Sequence, residues 1–165
     1  MIVTSFAQSG APAGAAAPDY HALGTFSETW AFLELFVARC AQLVAGEDQQ
    51  EAEISLQARL DALNTAVRLA PELHEVSADA LALTADIRAA ALKRQGVLQD
   101  LARASLSRMG FGLFALPSTA LGPNAVAVSL GHPKAVDELH LKACDLVRRA
   151  LLLLSALEAR LAPGA

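Results

Sequence analysis

Aromatic residues are scarce in this chain, at 5% of 165 positions, and so are the β-branched residues that favour strands. A composition short of strand formers and dominated by Ala and Leu, which lose little side-chain freedom in a helix, predicts an all-α fold. Cysteine is also rare. Cys40 and Cys144 are the two present, and neither belongs to a CxxC or CxxH motif. Both fall within helical apolar patterns and read as buried, reduced thiols; a bridge between the first and last helix would require them to face each other. No basic cluster exceeds Lys93-Arg94 and Arg148-Arg149, and the net charge is -4. Nucleic-acid binding needs a concentrated positive face, so no nucleic-acid partner is expected. No Lys or Arg precedes Arg39, which removes the basic start of a secretory signal. No uncharged helical run is long enough to span a bilayer, since the longest, Met109 to Leu130, contains Pro117, Gly122 and Pro123. The expected location is the cytoplasm.

What is present is helical periodicity. Residues 1–23 are rich in Ala, Gly, Pro and Ser and read as a tail with little to bury. Residues 24–162 read as one domain, a bundle of about four amphipathic helices. Thr25 and Glu28 match a capping box that opens the first helix. Trp30, Leu33, Val37, Cys40 and Val44 then recur at steps of three and four, and Phe32, Phe36 and Leu43 widen that stripe. A stripe this wide belongs to a helix deep in a bundle or in contact with a partner. Gly46 is a natural stop. The acidic run from Glu47 to Glu51 suits a helix N-terminus, and Ile54, Leu56, Leu60, Leu63 and Val67 follow it. Pro71 ends or kinks that helix.

A third helix is expected from about Ser77 to Arg108, with the apolar line Ala80, Leu83, Ile87, Ala91, Leu98, Leu101 and Leu106. The polar step Lys93-Arg94-Gln95-Gly96 predicts a kink or a hydrated stretch, because a mid-helix glycine is worth up to about 1 kcal/mol less than alanine. Residues 109–132 contain no Asp, Glu, Lys or Arg. They read as a long apolar loop, and the alternation around Val126 and Val128 allows a short β-hairpin with Leu113 to Leu116. Pro133 suits a first helical position. Val136, Leu139, Ala143, Leu146, Ala150, Leu153, Leu157 and Arg160 then keep a near-heptad register, and Leu151 to Leu154 form a turn that is apolar all round. Short loops between the first three helices predict antiparallel neighbours, and the longer connection before the fourth permits a crossover.

Catalytic and metal chemistry finds little support. No Glu-x-x-His is present, and Asp137-x-x-His140 stands alone. There is no Gly-x-Ser-x-Gly. The glycines at 110, 112, 122 and 131 do not make a phosphate loop. His140-Leu-Lys-Ala143 is similar to a phosphotransfer histidine motif, with alanine where the glycine stands. The expectation is therefore a non-enzyme with no metal and no cofactor. The positive signal is surplus apolar surface, which predicts a protein partner or self-association. The candidate contact residues are Phe32 and Phe36 on the first helix, with Phe111, Leu113, Phe114, Leu116, Val126 and Val128 in the loop.

Residues 28 to about 116 resemble the FlgN-type chaperones of bacterial flagellar (type III) export. The stretches that carry the resemblance are Leu33-Glu-Leu-Phe-Val-Ala-Arg39, Gly46-Glu47-Asp48, Gln57-Ala-Arg-Leu-Asp-Ala-Leu63 and Lys93-Arg94-Gln95. The resemblance implies a chaperone or adaptor that shields an amphipathic helix of its client. Residues 109–132 and the fourth helix have no counterpart in that family, and no binding residue is carried over from it. Two other roles fit the same surplus: a subunit of a phage or filament assembly, and a signalling bundle built around His140.

Overall fold

The computed structural model of the chain describes residues 19–45, 54–108 and 133–161, with side chains described outside 103–108 and 133–135. The described residues form an all-α bundle of four helices and contain no strand: α1 Tyr20–Ala45, α2 Leu56–Leu69, α3 His74–Arg108 and α4 Pro133–Leu161. The apolar loop and the hairpin expected within 109–132 lie outside the described residues.

Helix α1 begins earlier than the capping box at Thr25 predicts, inside the segment read as tail. Asp19 is the cap: its Oδ1 accepts from the backbone N–H groups of His21 and Ala22, both at 3.0 Å. A carboxylate at this position satisfies two orphan donors and also complements the helix dipole. Thr25 lies inside the helix, and its hydroxyl donates back to the carbonyl of His21. The early start brings Leu23 and Phe26 into the core, ahead of the expected Trp30, Leu33, Val37 and Cys40.

Helix α2 also starts at a different place. Residues 47–53 lie outside the described residues, Ile54 and Ser55 are non-helical, and the Ser55 hydroxyl caps Leu56 onward by accepting from the Ala58 N–H at 3.2 Å. Pro71 acts as its sequence suggests: Ala70 takes an extended conformation (φ -89°, ψ 111°) and Pro71–Leu73 form a single 3₁₀ turn. Helix α3 then starts three residues earlier than expected and passes through Lys93-Arg94-Gln95-Gly96 without a break. Its core line is Ala80, Leu83, Ile87, Ala90 and Val97. Leu98, expected inside, is instead 36% exposed. Steps of three and four from Ala80 pass through position 94, so Arg94 occupies a core-line position. In α4, by contrast, the seven apolar residues of the expected register from Val136 to Leu157 are buried, and its last member, Arg160, is exposed.

Each helix packs on two others: α1 on α2 and α4, and α3 on α2 and α4. Side-chain pairs fix the directions. Asp61 meets Arg88 and Asn64 meets Thr84, so α2 and α3 are antiparallel. Asp86 meets Arg149 and Glu75 meets Arg160, so α3 and α4 are antiparallel. Thr29 meets His140, and the Cys40 thiol meets the Ala150 carbonyl, so α1 and α4 are parallel. It follows that α2 runs parallel to α1, which overturns the antiparallel expectation for these neighbours. Leu56 accordingly sits beside Trp30 and Glu34, and the chain has to return roughly 20 Å along the bundle between Ala45 and Ile54, at 1.5 Å per helical residue. The end of α3 and the start of α4 lie at the same end of the bundle.

Polar pairs stitch α3 to its two neighbours. The buried Thr84 hydroxyl lies 2.7 Å from Asn64 Oδ1. Asp86 accepts from Arg149 at 2.5 Å and from Lys142 at 3.5 Å. The Arg149 hydrogen bond, ahead of the nearby positive charges, holds the Asp86 carboxyl below its ordinary range. The stability this pair contributes is therefore present above about pH 4 and is lost as the pH falls through the lowered value. Both side chains are partly exposed, so the contribution is under about 1 kcal/mol. Asp86→Asn is expected to flatten part of the acid limb of thermal stability between about pH 5 and 2. An unchanged acid limb, measured as Tm against pH, contradicts this assignment.

Candidate functional site

The side of the bundle where α1 and α4 run parallel differs from the ion-paired sides. Thr29 and His140 mark the line of contact, with His140 Nε2 3.2 Å from the Thr29 hydroxyl. Counting from Thr29 in steps of three and four along α1 reaches Phe32, Phe36 and, one heptad on, Leu43. The same count from His140 along α4 reaches Cys144, Val147, Leu151 and Leu154. Because the two helices are parallel, these residues form one apolar seam along their outer junction. Phe36, Leu43, Val147 and Leu154 are half-buried against the core. Phe32 is 48% exposed and Leu151 46% exposed. Cys144 is exposed. Beyond the seam, Leu35 on α1 is 62% exposed and Leu152 on α4 is 59% exposed.

The seam contains two of the residues singled out from the sequence. Phe32 is at its exposed rim. Phe36 is half-buried, so it contributes floor more than contact surface. Phe111, Leu113, Phe114, Leu116, Val126 and Val128 lie outside the described residues. Leu151 was missed as an individual contact because the run Leu151 to Leu154 is apolar all round. Only the position of α1 shows that Leu153 enters the core, Leu154 and Leu151 line the seam, and Leu152 points away from it.

The two thiols correct the sequence reading. Cys40 is buried, whereas Cys144 is exposed, and both are free. Burial, reinforced by the negative charge of Glu158, pushes the Cys40 thiol up to about 12. His140 is half-buried beside Thr29. Among the described residues, no three His, Cys, Asp or Glu side chains converge in a way that would hold a metal ion. None of the described helices is long and apolar enough to cross a membrane.

A second concave region lies on the α2 side of α1. Helix α2 has 14 residues against 26 in α1, and it covers only the half of α1 beyond Trp30. Where α2 stops short, Trp30, Glu34, Leu56, Arg94 and Leu98 line an open groove of about 470 Å³. The Trp30 indole N–H donates to Glu34 at 2.7 Å, and the Arg94 guanidinium carbon lies 5.3 Å from the ring centroid. This contact is a cation–π pair. The sequence signal for it is the 3–4 periodicity of α3, which puts Arg94 in line with Ala90 and Val97.

Comparison with family models, with curated proteins and with solved structures finds no match for this chain.

Proposed function

We propose that this chain is a non-enzymatic protein-binding module whose α1–α4 seam receives an amphipathic helix of a partner. The observation that supports the reading is the pair of half-exposed side chains, Phe32 and Leu151, on a continuous apolar strip. Large apolar groups in a rigid strip are the usual anchors for a helix laid in a groove. Two parallel helices at heptad spacing present the a/d-like ridge that a further helix packs against. The likeness to export chaperones points to a cytoplasmic bacterial chaperone or adaptor that shields its client until delivery.

Burying the exposed halves of Phe32 and Leu151 supplies binding energy by removing apolar surface from water. The double variant Phe32→Ser/Leu151→Ser alters rim positions and leaves the core residues in place. It is expected to weaken partner binding at least thirtyfold, the equivalent of about 2 kcal/mol at an interface anchor, with thermal stability little changed. The check is affinity capture from native lysate with wild type and variant side by side, followed by titration of the recovered partner. Equal recovery of every partner by both proteins contradicts the reading. Sedimentation of the purified chain separates the self-assembling alternative, which requires large homogeneous assemblies without any partner.

A further inference from the structure

On the outer rims of the seam, α1 and α4 carry the same order of chemistry. The exposed ridge of α1 reads Glu28, Phe32, Leu35, Arg39, and that of α4 reads Asp137, Leu141, Cys144, Arg148. Both run acid, apolar, apolar, base at steps of four, three and four, a spacing that keeps four side chains on one helical face. Phe32, Leu35 and Leu141 are 48%, 62% and 70% exposed. The contacts Thr29–His140 and Cys40–Ala150 set the level of one helix against the other. On that scale the two ridges begin within about 3 Å of each other, at 1.5 Å per residue. Because the helices are parallel, both acids lie at one end of the face and both bases about 16 Å further along it. Where α3 meets its neighbours, charges pair within the chain, as Asp61 does with Arg88 and Asp86 with Arg149. On the outer face they do not: the side chains of Glu28, Arg39 and Asp137 have no ion-pair or hydrogen-bond partner among the described residues. Arg148 donates to Asp145 at 3.0 Å, an exposed pair that leaves other guanidinium N–H groups available.

A face with acids at one end, bases at the other and apolar groups between is complementary to itself turned end for end. A copy laid antiparallel on it brings each acid to a base, whereas a copy laid parallel brings acid to acid and base to base, which like-charge repulsion opposes. We infer that this face, while no partner helix holds it, is covered by a second copy of the chain lying antiparallel across a twofold axis, an occupant that rests on reading the α1–α4 side as the binding surface. Glu28 of each copy then meets Arg39 of the other, and Asp137 meets Arg148. Such a contact is closed, because one patch serves both copies. The α1 charges put the axis midway between Glu28 and Arg39, which is the level of Cys144 in the register fixed by Thr29–His140 and Cys40–Ala150. The Cys144 thiols of the two copies therefore come close together near the axis. The apolar side chains in the contact are few for a permanent dimer, so it exchanges readily and yields the seam to a partner.

Charge exchange on the purified full chain tests this arrangement. Glu28 and Arg39 are exposed, so their replacement leaves the core residues in place. Sedimentation equilibrium of the wild type is expected to show a concentration-dependent dimer. Glu28→Arg sets two arginines of one copy against those of the other, and Arg39→Glu does the same with carboxylates, so each variant alone is expected to self-associate at least tenfold more weakly. An equimolar mixture of the two variants recovers the dimer, because Arg at position 28 then meets Glu at position 39 while the native Arg39 meets the native Glu28. The recovery also shows that both variants are folded. A short bis-maleimide supplies a second readout: it is expected to join Cys144 to Cys144 in the wild type and in the mixture, and to fail with either variant alone. Single variants that associate as the wild type does, or a mixture that stays monomeric, overturn the inference. So do open assemblies larger than a dimer, which a closed twofold contact forbids. A wild type that is monomeric at every concentration also overturns it, and leaves the capture experiment with Phe32→Ser/Leu151→Ser to decide separately whether the seam binds a partner.

Discussion

Thiol labelling of the native chain stops at one of its two cysteines. Cys144 faces solvent from the α1–α4 seam, whereas Cys40 lies in the core with its thiol 4.0 Å from the Ala150 carbonyl. The thiolate is the reactive form. With its pKa pushed up to about 12, Cys40 carries a thiolate fraction of about 10⁻⁴ at pH 8, against about a tenth for an ordinary thiol near 9. Closed access multiplies that deficit. A thiol reagent is therefore expected to modify one equivalent per chain quickly at pH 8 and the second at least about a thousandfold more slowly, as the bundle opens. Denaturant releases both. Two equally fast equivalents without denaturant contradict the packing of α1 on α4. The same shift sets an alkaline limit. The raised value means that the fold favours the neutral thiol, so this contribution is complete below the unfolded value near 9 and is lost as the pH rises toward 12. Cys40→Ala is expected to remove that part of the alkaline loss.

Phe26→Ala is expected to destabilise the bundle by about 3–5 kcal/mol, the range for emptying a buried aromatic site. Phe26 is fully buried, and its ring lies 6.1 Å from that of Trp30 at a tilted 54°, a favourable aromatic pairing. Ordinary domains are stable by about 5–15 kcal/mol, so the loss is a large fraction of the total. Urea or thermal unfolding measures it. A change under about 1 kcal/mol contradicts the placement of the first turns of α1 in the core and favours a helix that starts at Thr25 after all. Asp19→Ala probes the same turns more gently, at about 1 kcal/mol for a lost cap.

These two experiments bear on what could be read from the sequence and what could not. The α4 core was legible to the residue, because Pro133 marks its start and the spacing of Val136, Leu139, Ala143, Leu146, Ala150, Leu153 and Leu157 never slips. The start of α1 was not, because Asp19 follows a run of Ala, Gly and Pro that masks it, while Thr25 and Glu28 offer a pattern that capping alone cannot distinguish from a real cap. The phase of α3 failed at Arg94: a charge on the core line made Leu98 look like the inward residue when Val97 is. The direction of α2 was invisible, since loop length suggests antiparallel packing and only the pairings with α3 reveal otherwise. Phe32 and Phe36 were legible as part of a stripe too wide for one contact. Their alignment with Cys144 and Leu151 depends on α1 and α4 being parallel, which no local pattern encodes.

The placement of Cys144 on the seam, together with the protection of Cys40, offers a direct test of the binding claim. A benzophenone maleimide attached to native Cys144 puts a photoreactive group beside Phe32 and Leu151 without altering the fold's core. Irradiation in native lysate is expected to give one discrete adduct between this chain and a different protein, mapped to an amphipathic helix of that protein and reduced at least tenfold in the Phe32→Ser/Leu151→Ser background. Adducts that persist unchanged in that background, or a seam that captures nothing but reagent and water, contradict the account.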